Sequence, residues 1–194
     1  MRIAIIDYGA GNTQSVKYAL KRLGCEGILT SDKEVISNSD KVIFPGVGQA
    51  SSAMKKLQSE GLDLLIPNLK QPVLGICLGM QLMCNFSEEG NTECLKIFNS
   101  KVKKFDNSLK VPQIGWNTIF DLKTSLFNSI SEKEYMYLVH SYFVPVISET
   151  ISTTKYGIDY STAIKKNNFT GVQFHPEKSG GKGEIILKNF ITNS

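Results

Sequence analysis

Three short stretches of the chain hold side chains that could do chemistry together. Cys77 lies in Gly75-Ile76-Cys77-Leu78-Gly79, with a glycine two residues to either side. This is the nucleophile-elbow pattern with sulfur in place of oxygen. A sharp turn from strand to helix lifts one side chain out of a packed sheet, and the glycines let neighbouring backbone come close. The positive end of the following helix favours thiolate over thiol. His175-Pro176-Glu177 is the second stretch. Pro176 fixes its own φ and pushes His175 into an extended conformation. Residues two apart in extended chain point to the same side. Glu177 can therefore hold the imidazole in one tautomer while its other nitrogen faces a thiol. The third stretch, Pro45-Gly46-Val47-Gly48, offers backbone N–H groups to a developing anion. Taken alone, each has a plainer reading: a buried core cysteine, a hydrogen-bonded histidine after a strand, an ordinary tight turn.

The elements needed to position these groups can be read from periodicity. Val73 to Ile76 is a short apolar run fit for a buried strand, and Leu78 to Cys84 is a run of good helix formers. Arg2 to Asp7 reads as a first strand, leading through the Gly-rich turn Tyr8 to Asn12 into a helix from Thr13 to Leu23 that Gly24 ends. Glu26 to Leu29 and Lys41 to Phe44 read as further strands. Ala50 to Ser59 and Leu62 to Leu69 read as helices. This order predicts an α/β fold with a mainly parallel, doubly wound sheet flanked by helices. The proline and glycines after Phe44 then sit at the carboxyl end of the sheet, where such folds place ligands. From Lys96 to Phe174 the apolar runs are short and broken by Gly, Pro and Asn, which predicts antiparallel strands in the second half. Phe169 to Phe174 leads into His175, and Lys182 to Ile191 reads as a last helix. No linker divides the chain, so residues 1–194 are expected to form a single domain.

Composition narrows the function. The chain has 194 residues, 41% hydrophobic and 21% charged, with a net charge of +4. Its lysine pairs are scattered, which argues against nucleic acid as a partner. No apolar run approaches the roughly 18 residues of a membrane span, and Met1 to Asp7 reads as a first strand, too short for a signal peptide. A cytoplasmic protein is expected, with no membrane association and no disulfides among Cys25, Cys77, Cys84 and Cys94. The two histidines, His140 and His175, show no metal-ligand spacing, so no metal is expected. Gly9 and Gly11 resemble the start of a dinucleotide fingerprint, but Gln14 stands where its third glycine belongs, so no cofactor is expected.

Pro45 to Gly48, Gly75 to Gln81 and Gly171 to Ser179 together resemble the three signatures of class I (triad-type) glutamine amidotransferases. Asp7 to Asn12, Pro112 to Asn117 and Val139 to Tyr142 are similar to the branch of that family that serves imidazole glycerol phosphate synthesis. The match runs along essentially the whole chain. The resemblance implies hydrolysis of L-glutamine to glutamate and ammonia through a Cys77 thioester, with His175 as acid and base and Glu177 as its orienter. It implies an oxyanion hole from the backbone N–H groups of Leu78 and Val47. Gly48, Gln81, Glu89, Ser141 and Tyr142 would hold glutamine, with Glu89 facing its α-ammonium and Gln81 accepting from and donating to its polar ends.

The same resemblance implies a heterodimer with a barrel-shaped HisF-type cyclase. That cyclase would use the ammonia to make imidazole glycerol phosphate and AICAR in histidine biosynthesis. Asn12, Trp116 and Lys178 would lie at the shared surface, although Trp116 also reads as a core aromatic. Gln113 stands where the family commonly carries His, which keeps a polar side chain and removes a titratable group. Three other functions stay open. The same glutaminase chemistry can feed a surface-sugar amidotransferase. A stand-alone cysteine hydrolase or peptidase also uses an elbow cysteine. A non-catalytic binding module could carry Cys77 as a redox-sensitive thiol.

Overall fold

A computed structural model describes residues 1–9 and 11–193, leaving Ala10 and Ser194 outside the description. The Gly-rich turn after the first strand is therefore described on either side of Ala10 only. The chain begins β1 (Ile3–Ile6), α1 (Thr13–Arg22), β2 (Gly27–Thr30), α2 (Lys33–Ser37), β3 (Lys41–Gly46), α3 (Ala50–Glu60), α4 (Leu62–Leu65), β4 (Val73–Cys77) and α5 (Leu78–Leu82). It continues β5 (Cys84–Ser87), β6 (Thr92–Glu93), β7 (Phe98–Lys104), β8 (Gln113–Thr118), β9 (Tyr135–His140) and β10 (Tyr142–Phe143). It ends β11 (Thr150–Tyr156), β12 (Ile158–Lys166), β13 (Phe169–Val172) and α6 (Gly180–Asn193).

The main sheet has seven strands in the order β11-β12-β13-β4-β3-β1-β2. Strands β2, β1, β3, β4 and β13 pair in parallel, and β12 pairs antiparallel with both β13 and β11. Six strands thus share one direction and β12 opposes them. The expected mainly parallel α/β sheet with antiparallel pairing in the second half is what the chain forms.

Alternation along the central strands explains why helices cover both faces. Ala4, Ile6, Val42 and Phe44 pack on one side with Ala53 and Leu57 of α3. Ile3, Ile5, Ile43, Leu74 and Ile76 pack on the other with Val16 and Leu20 of α1 and Ile186 and Phe190 of α6. Both sides of each central strand are therefore apolar and buried, as parallel sheets require. Each fully buried aliphatic side chain of this kind contributes about 1.5–3 kcal/mol. A second sheet, β10-β7-β5-β6, and a two-stranded ribbon, β8-β9, complete the fold, and the Tyr137 carbonyl of β9 accepts the N–H of His175 beyond β13.

Three local expectations change. The helix after Cys77 ends at Leu82, and Cys84 instead opens β5, which pairs with β7. Pairing with a neighbouring strand overrides the helix propensity of the Leu-Met-Cys run. The expected helix over Leu62 to Leu69 gives way after Leu65 to a 3-10 turn, Ile66–Asn68. Pro67 lacks the N–H that another α-turn would use. Helix α2 lies outside the expected elements; Asp32 caps it by accepting from the N–H groups of Glu34 and Val35.

Candidate active site

The elbow forms at the junction of β4 and α5. Cys77 has φ 53 and ψ −110, a strained conformation for a residue with a Cβ. Close packing against β3 enforces it. A Cβ on Gly79 would lie 1.9 Å from the Phe44 carbonyl oxygen, and one on Gly75 would lie 2.9 Å from the Met80 nitrogen. No other residue type fits at Gly79. Gly46 pairs in register with Cys77 across the β3–β4 ladder, so the Val47-Gly48 turn starts beside the sulfur.

His175 follows β13, the other neighbour of β4. Its main chain is fixed on both sides: its N–H donates to the Tyr137 carbonyl at 2.9 Å, and Ser179 Oγ donates to its carbonyl at 2.7 Å. His175 Nδ1 lies 2.8 Å from Glu177 Oε1, and both side chains are all but sealed from solvent. His175 Nε2 is buried without a hydrogen-bond partner of ordinary geometry. Burial disfavours its imidazolium, but the charge of the nearby Cys77 sulfur, a bond toward it and the Glu177 carboxylate outweigh burial and push its pKa up to about 10.

A cavity of about 370 Å³ opens onto these groups. Its wall includes Val47, Gly48, Cys77, Leu78, Gln81, Glu89, Ser141, Tyr142 and His175, together with Pro112, Val139 and His140. Nine of the ten residues expected at the nucleophile, oxyanion hole and substrate thus meet at one space, and Glu177 backs His175 from behind. The volume suits a small polar ligand.

Details of this wall sharpen the expectations. Gln81 Nε2 donates to the Tyr142 carbonyl at 2.8 Å and to Gln173 Oε1 at 2.9 Å. Both of its amide protons are therefore committed inside the protein, and only its oxygen remains for a ligand. The expectation that Gln81 also donates to a substrate is corrected accordingly. Glu89 Oε2 accepts the Ala50 N–H at 2.8 Å, and burial raises its carboxyl pKa against the lowering effect of that bond.

Gln113 is buried and tied to the site, away from any outer surface. Its side-chain amide lies 3.0 Å from the Tyr160 hydroxyl, which lies 3.2 Å from His140 Nε2. His140 Nδ1 donates to the Tyr142 carbonyl at 2.7 Å. Burial drives the His140 pKa down to about 4, despite that bond. A polar residue within the apolar Val-Pro-Gln-Ile stretch is the only sequence signal of this chain of bonds.

The remaining three expected residues do not line the cavity. Trp116 is 55% exposed, which overturns its reading as a core aromatic. It meets Tyr137 edge-on with centroids 6.1 Å apart, and Lys178 Nζ stands 5.9 Å from the same ring. Trp116 and Lys178 thus share one surface patch through Tyr137, a residue that no sequence motif singles out. Asn12 precedes α1 and accepts from Ser15 Oγ at 2.8 Å. Its neighbour Gly11 lies against the Pro45 carbonyl. Among the described residues, no group of three or more His, Cys, Asp or Glu gathers as metal ligands would. No helix there is long and apolar enough to cross a membrane.

A strained elbow cysteine, a carboxylate-held histidine and a glycine turn meet at the carboxyl end of a mainly parallel sheet, an arrangement suited to nucleophilic acyl transfer. The chain belongs to the class I glutamine amidotransferase family, whose pattern matches residues 4–193. More particularly, it is 56% identical to "Imidazole glycerol phosphate synthase subunit HisH" of Bacteroides fragilis strain YCH46, over 98% of this chain and 99% of that protein. It is 48% identical to the protein of the same name from Haemophilus influenzae strain Rd, over 98% and 97%. Among solved structures, PurLQS from Thermotoga maritima superposes with a TM-score of 0.75 at 17% identity, covering 98% of this chain and 97% of that one. A glutamine amidotransferase from the same organism gives 0.65 at 18% identity, covering 98% and 80%. These two share the fold.

Proposed function

We propose that this chain is the glutaminase subunit of an imidazole glycerol phosphate synthase, a single amidotransferase domain over residues 1–194 acting in the cytoplasm. The observation that carries the chemistry is the His175 side chain, bonded to Glu177 through Nδ1, with its buried Nε2 free of any other partner and its ring close enough to the elbow sulfur to feel its charge. The named relatives support the pathway at 48–56% identity.

The reaction follows from these groups. His175 takes the Cys77 thiol proton as the sulfur attacks the side-chain amide carbon of L-glutamine, forming a C–S bond and an oxyanion. The backbone N–H groups of Leu78 and Val47 receive that oxyanion. Losing one such donor typically costs about 10²–10³ in kcat. The imidazolium of His175 gives its proton to the leaving nitrogen, so ammonia departs as the C–N bond breaks and a thioester remains. Neutral His175 then takes a proton from water, which attacks the thioester. The C–S bond then breaks, the sulfur takes its proton back from the imidazolium, and glutamate leaves. Glu177 keeps the charged imidazole in register throughout. Glu89 binds the substrate α-ammonium, the Gln81 oxygen accepts from the substrate, and Gly48, Ser141 and Tyr142 complete the pocket.

Ammonia then passes to a HisF-type cyclase docked over the surface of Asn12, Trp116 and Lys178. Reconstitution tests this: with a histidine-pathway cyclase and glutamine, the wild-type chain yields imidazole glycerol phosphate, and Cys77→Ala yields none unless ammonia is supplied. Product made only with a surface-sugar amidotransferase would move the chain to that pathway. Glutamine hydrolysis at the wild-type rate by Cys77→Ala would overturn the mechanism.

A further inference from the structure

Gln173 is fully buried at the end of β13, two residues before His175, with Nε2 3.6 Å from Cys77 Sγ. Its other end, Oε1, accepts from Gln81 Nε2 at 2.9 Å. Which way round a side-chain amide lies is decided by its bonding network. Here the network has a fixed origin, because the Tyr142 carbonyl oxygen can only accept. Gln81 must therefore turn its nitrogen toward Tyr142. The second proton of that nitrogen points at Gln173, which must answer with its oxygen. The Gln173 nitrogen is then left facing the sulfur. His140 Nδ1 donates to the same Tyr142 carbonyl and holds it in place. The Val139 carbonyl, 3.8 Å from the sulfur, can accept from a thiol but can offer a thiolate nothing.

We propose that Gln173 is a positioning residue for the nucleophile: its Nε2–H donates to the Cys77 thiolate, and its orientation is relayed from the Tyr142 carbonyl through the Gln81 amide. Gln173 is itself fully buried, so it meets the sulfur from within the protein. It orients the thiolate lone pairs toward the cavity and adds a donor that favours the charged sulfur. The relay also links two parts of one site. The Ser141-Tyr142 corner that lines the substrate cavity is the same corner that fixes the donor at the nucleophile. Anything that shifts the Tyr142 carbonyl disturbs the polar environment of the thiolate, two amides away. This rests on Cys77 being the nucleophile.

The test is the pH dependence of Cys77 alkylation by iodoacetamide, followed on the Cys77 peptide by mass spectrometry, in the full chain without glutamine. Gln173→Met keeps the length and removes the donor. Its alkylation midpoint is expected to rise by about one pH unit, with kcat about tenfold lower and KM for glutamine little changed. Gln173→Asn keeps an amide but is one methylene too short, and the same shift is expected. A folded variant whose midpoint stays within about 0.2 units of wild type overturns the proposal. Should neither variant fold, ¹⁵N NMR of the native chain decides: the Gln173 side-chain amide must shift as Cys77 titrates, and a pH-indifferent signal overturns it. Failure here differs from failure of the glutaminase reading, which falls if Cys77→Ala retains glutamine hydrolysis.

Discussion

Glu89 Oε2 accepts the backbone N–H of Ala50, the first residue of α3, while the same carboxylate forms part of the cavity wall. Gln49 gives α3 no side-chain cap, so a residue 39 positions away does that work. The two tasks can be separated by substitution. Glu89→Gln keeps an acceptor for Ala50 and removes the charge that meets an α-ammonium. Its KM for glutamine is expected to rise roughly 10–100-fold with stability nearly unchanged. Glu89→Ala is expected to lose about 1 kcal/mol of stability as well, read from urea unfolding midpoints.

The same carboxylate predicts a pH dependence. Burial raises the Glu89 pKa above the ordinary carboxylate value. On acidification it therefore takes up a proton earlier than an exposed glutamate does. KM for glutamine is expected to rise at the acid end of the profile while kcat holds, and Glu89→Gln is expected to flatten that limb. Parallel acid limbs in both proteins would count against the role of Glu89.

His140 carries a prediction about the fold. Its folded pKa, about 4, lies below the ordinary 6.5 because the ring is buried. Between those values the unfolded chain holds a proton that the folded chain does not. Stability from the neutral ring is thus complete above about pH 6.5 and is lost as pH falls toward 4. The full span corresponds to about 3 kcal/mol. Denaturant midpoints of wild type should fall more steeply over this window than those of His140→Gln, which cannot take up a proton.

Much of this site is legible in the sequence, for a physical reason. An elbow needs glycine where backbone meets backbone, and Gly75 and Gly79 announce that need by type and spacing. His175 and Glu177 are close in sequence, so their pairing needs only local geometry. Gln173, Gln113 and Tyr160 are opaque because their roles come from partners across the sheet: Cys77 lies 96 residues from Gln173, and Gln113 lies 47 from Tyr160. The end of α5 escapes a local reading because strand pairing with β7 sets it. Trp116 is ambiguous in sequence because an aromatic on a ribbon looks the same whichever face it takes.

Gly79 tests how strictly the elbow depends on that close approach. With a methyl group aimed 1.9 Å from the Phe44 carbonyl oxygen, Gly79→Ala must push β3 and α5 apart. An overpacking cost of about 3 kcal/mol is expected, read as a lowered urea midpoint. The displacement also moves the Val47 turn relative to Cys77, since Gly46 pairs with Cys77 in the ladder. Activity per folded molecule should therefore fall along with stability.

The exposed Trp116 gives the sharpest test of the partner surface. It stands 55% exposed on β8, steadied by Tyr137, with Lys178 over the other ring of the pair. A large aromatic presented this way costs solubility in an isolated chain and suits a buried anchor in a complex. Trp116→Ala should leave the thermal midpoint of the free chain almost unchanged, since little core is lost. It should weaken binding to a HisF-type cyclase by about 30-fold or more, the mark of an anchor residue. Lys178 follows His175-Pro176-Glu177 directly, so a partner docked on this patch would reach the turn proposed to be catalytic. Glutaminase activity of the wild-type chain is therefore expected to be low alone and to rise with the loaded partner, and Trp116→Ala should need more partner for the same rise. Equal cyclase affinity in the two proteins would place the interface elsewhere.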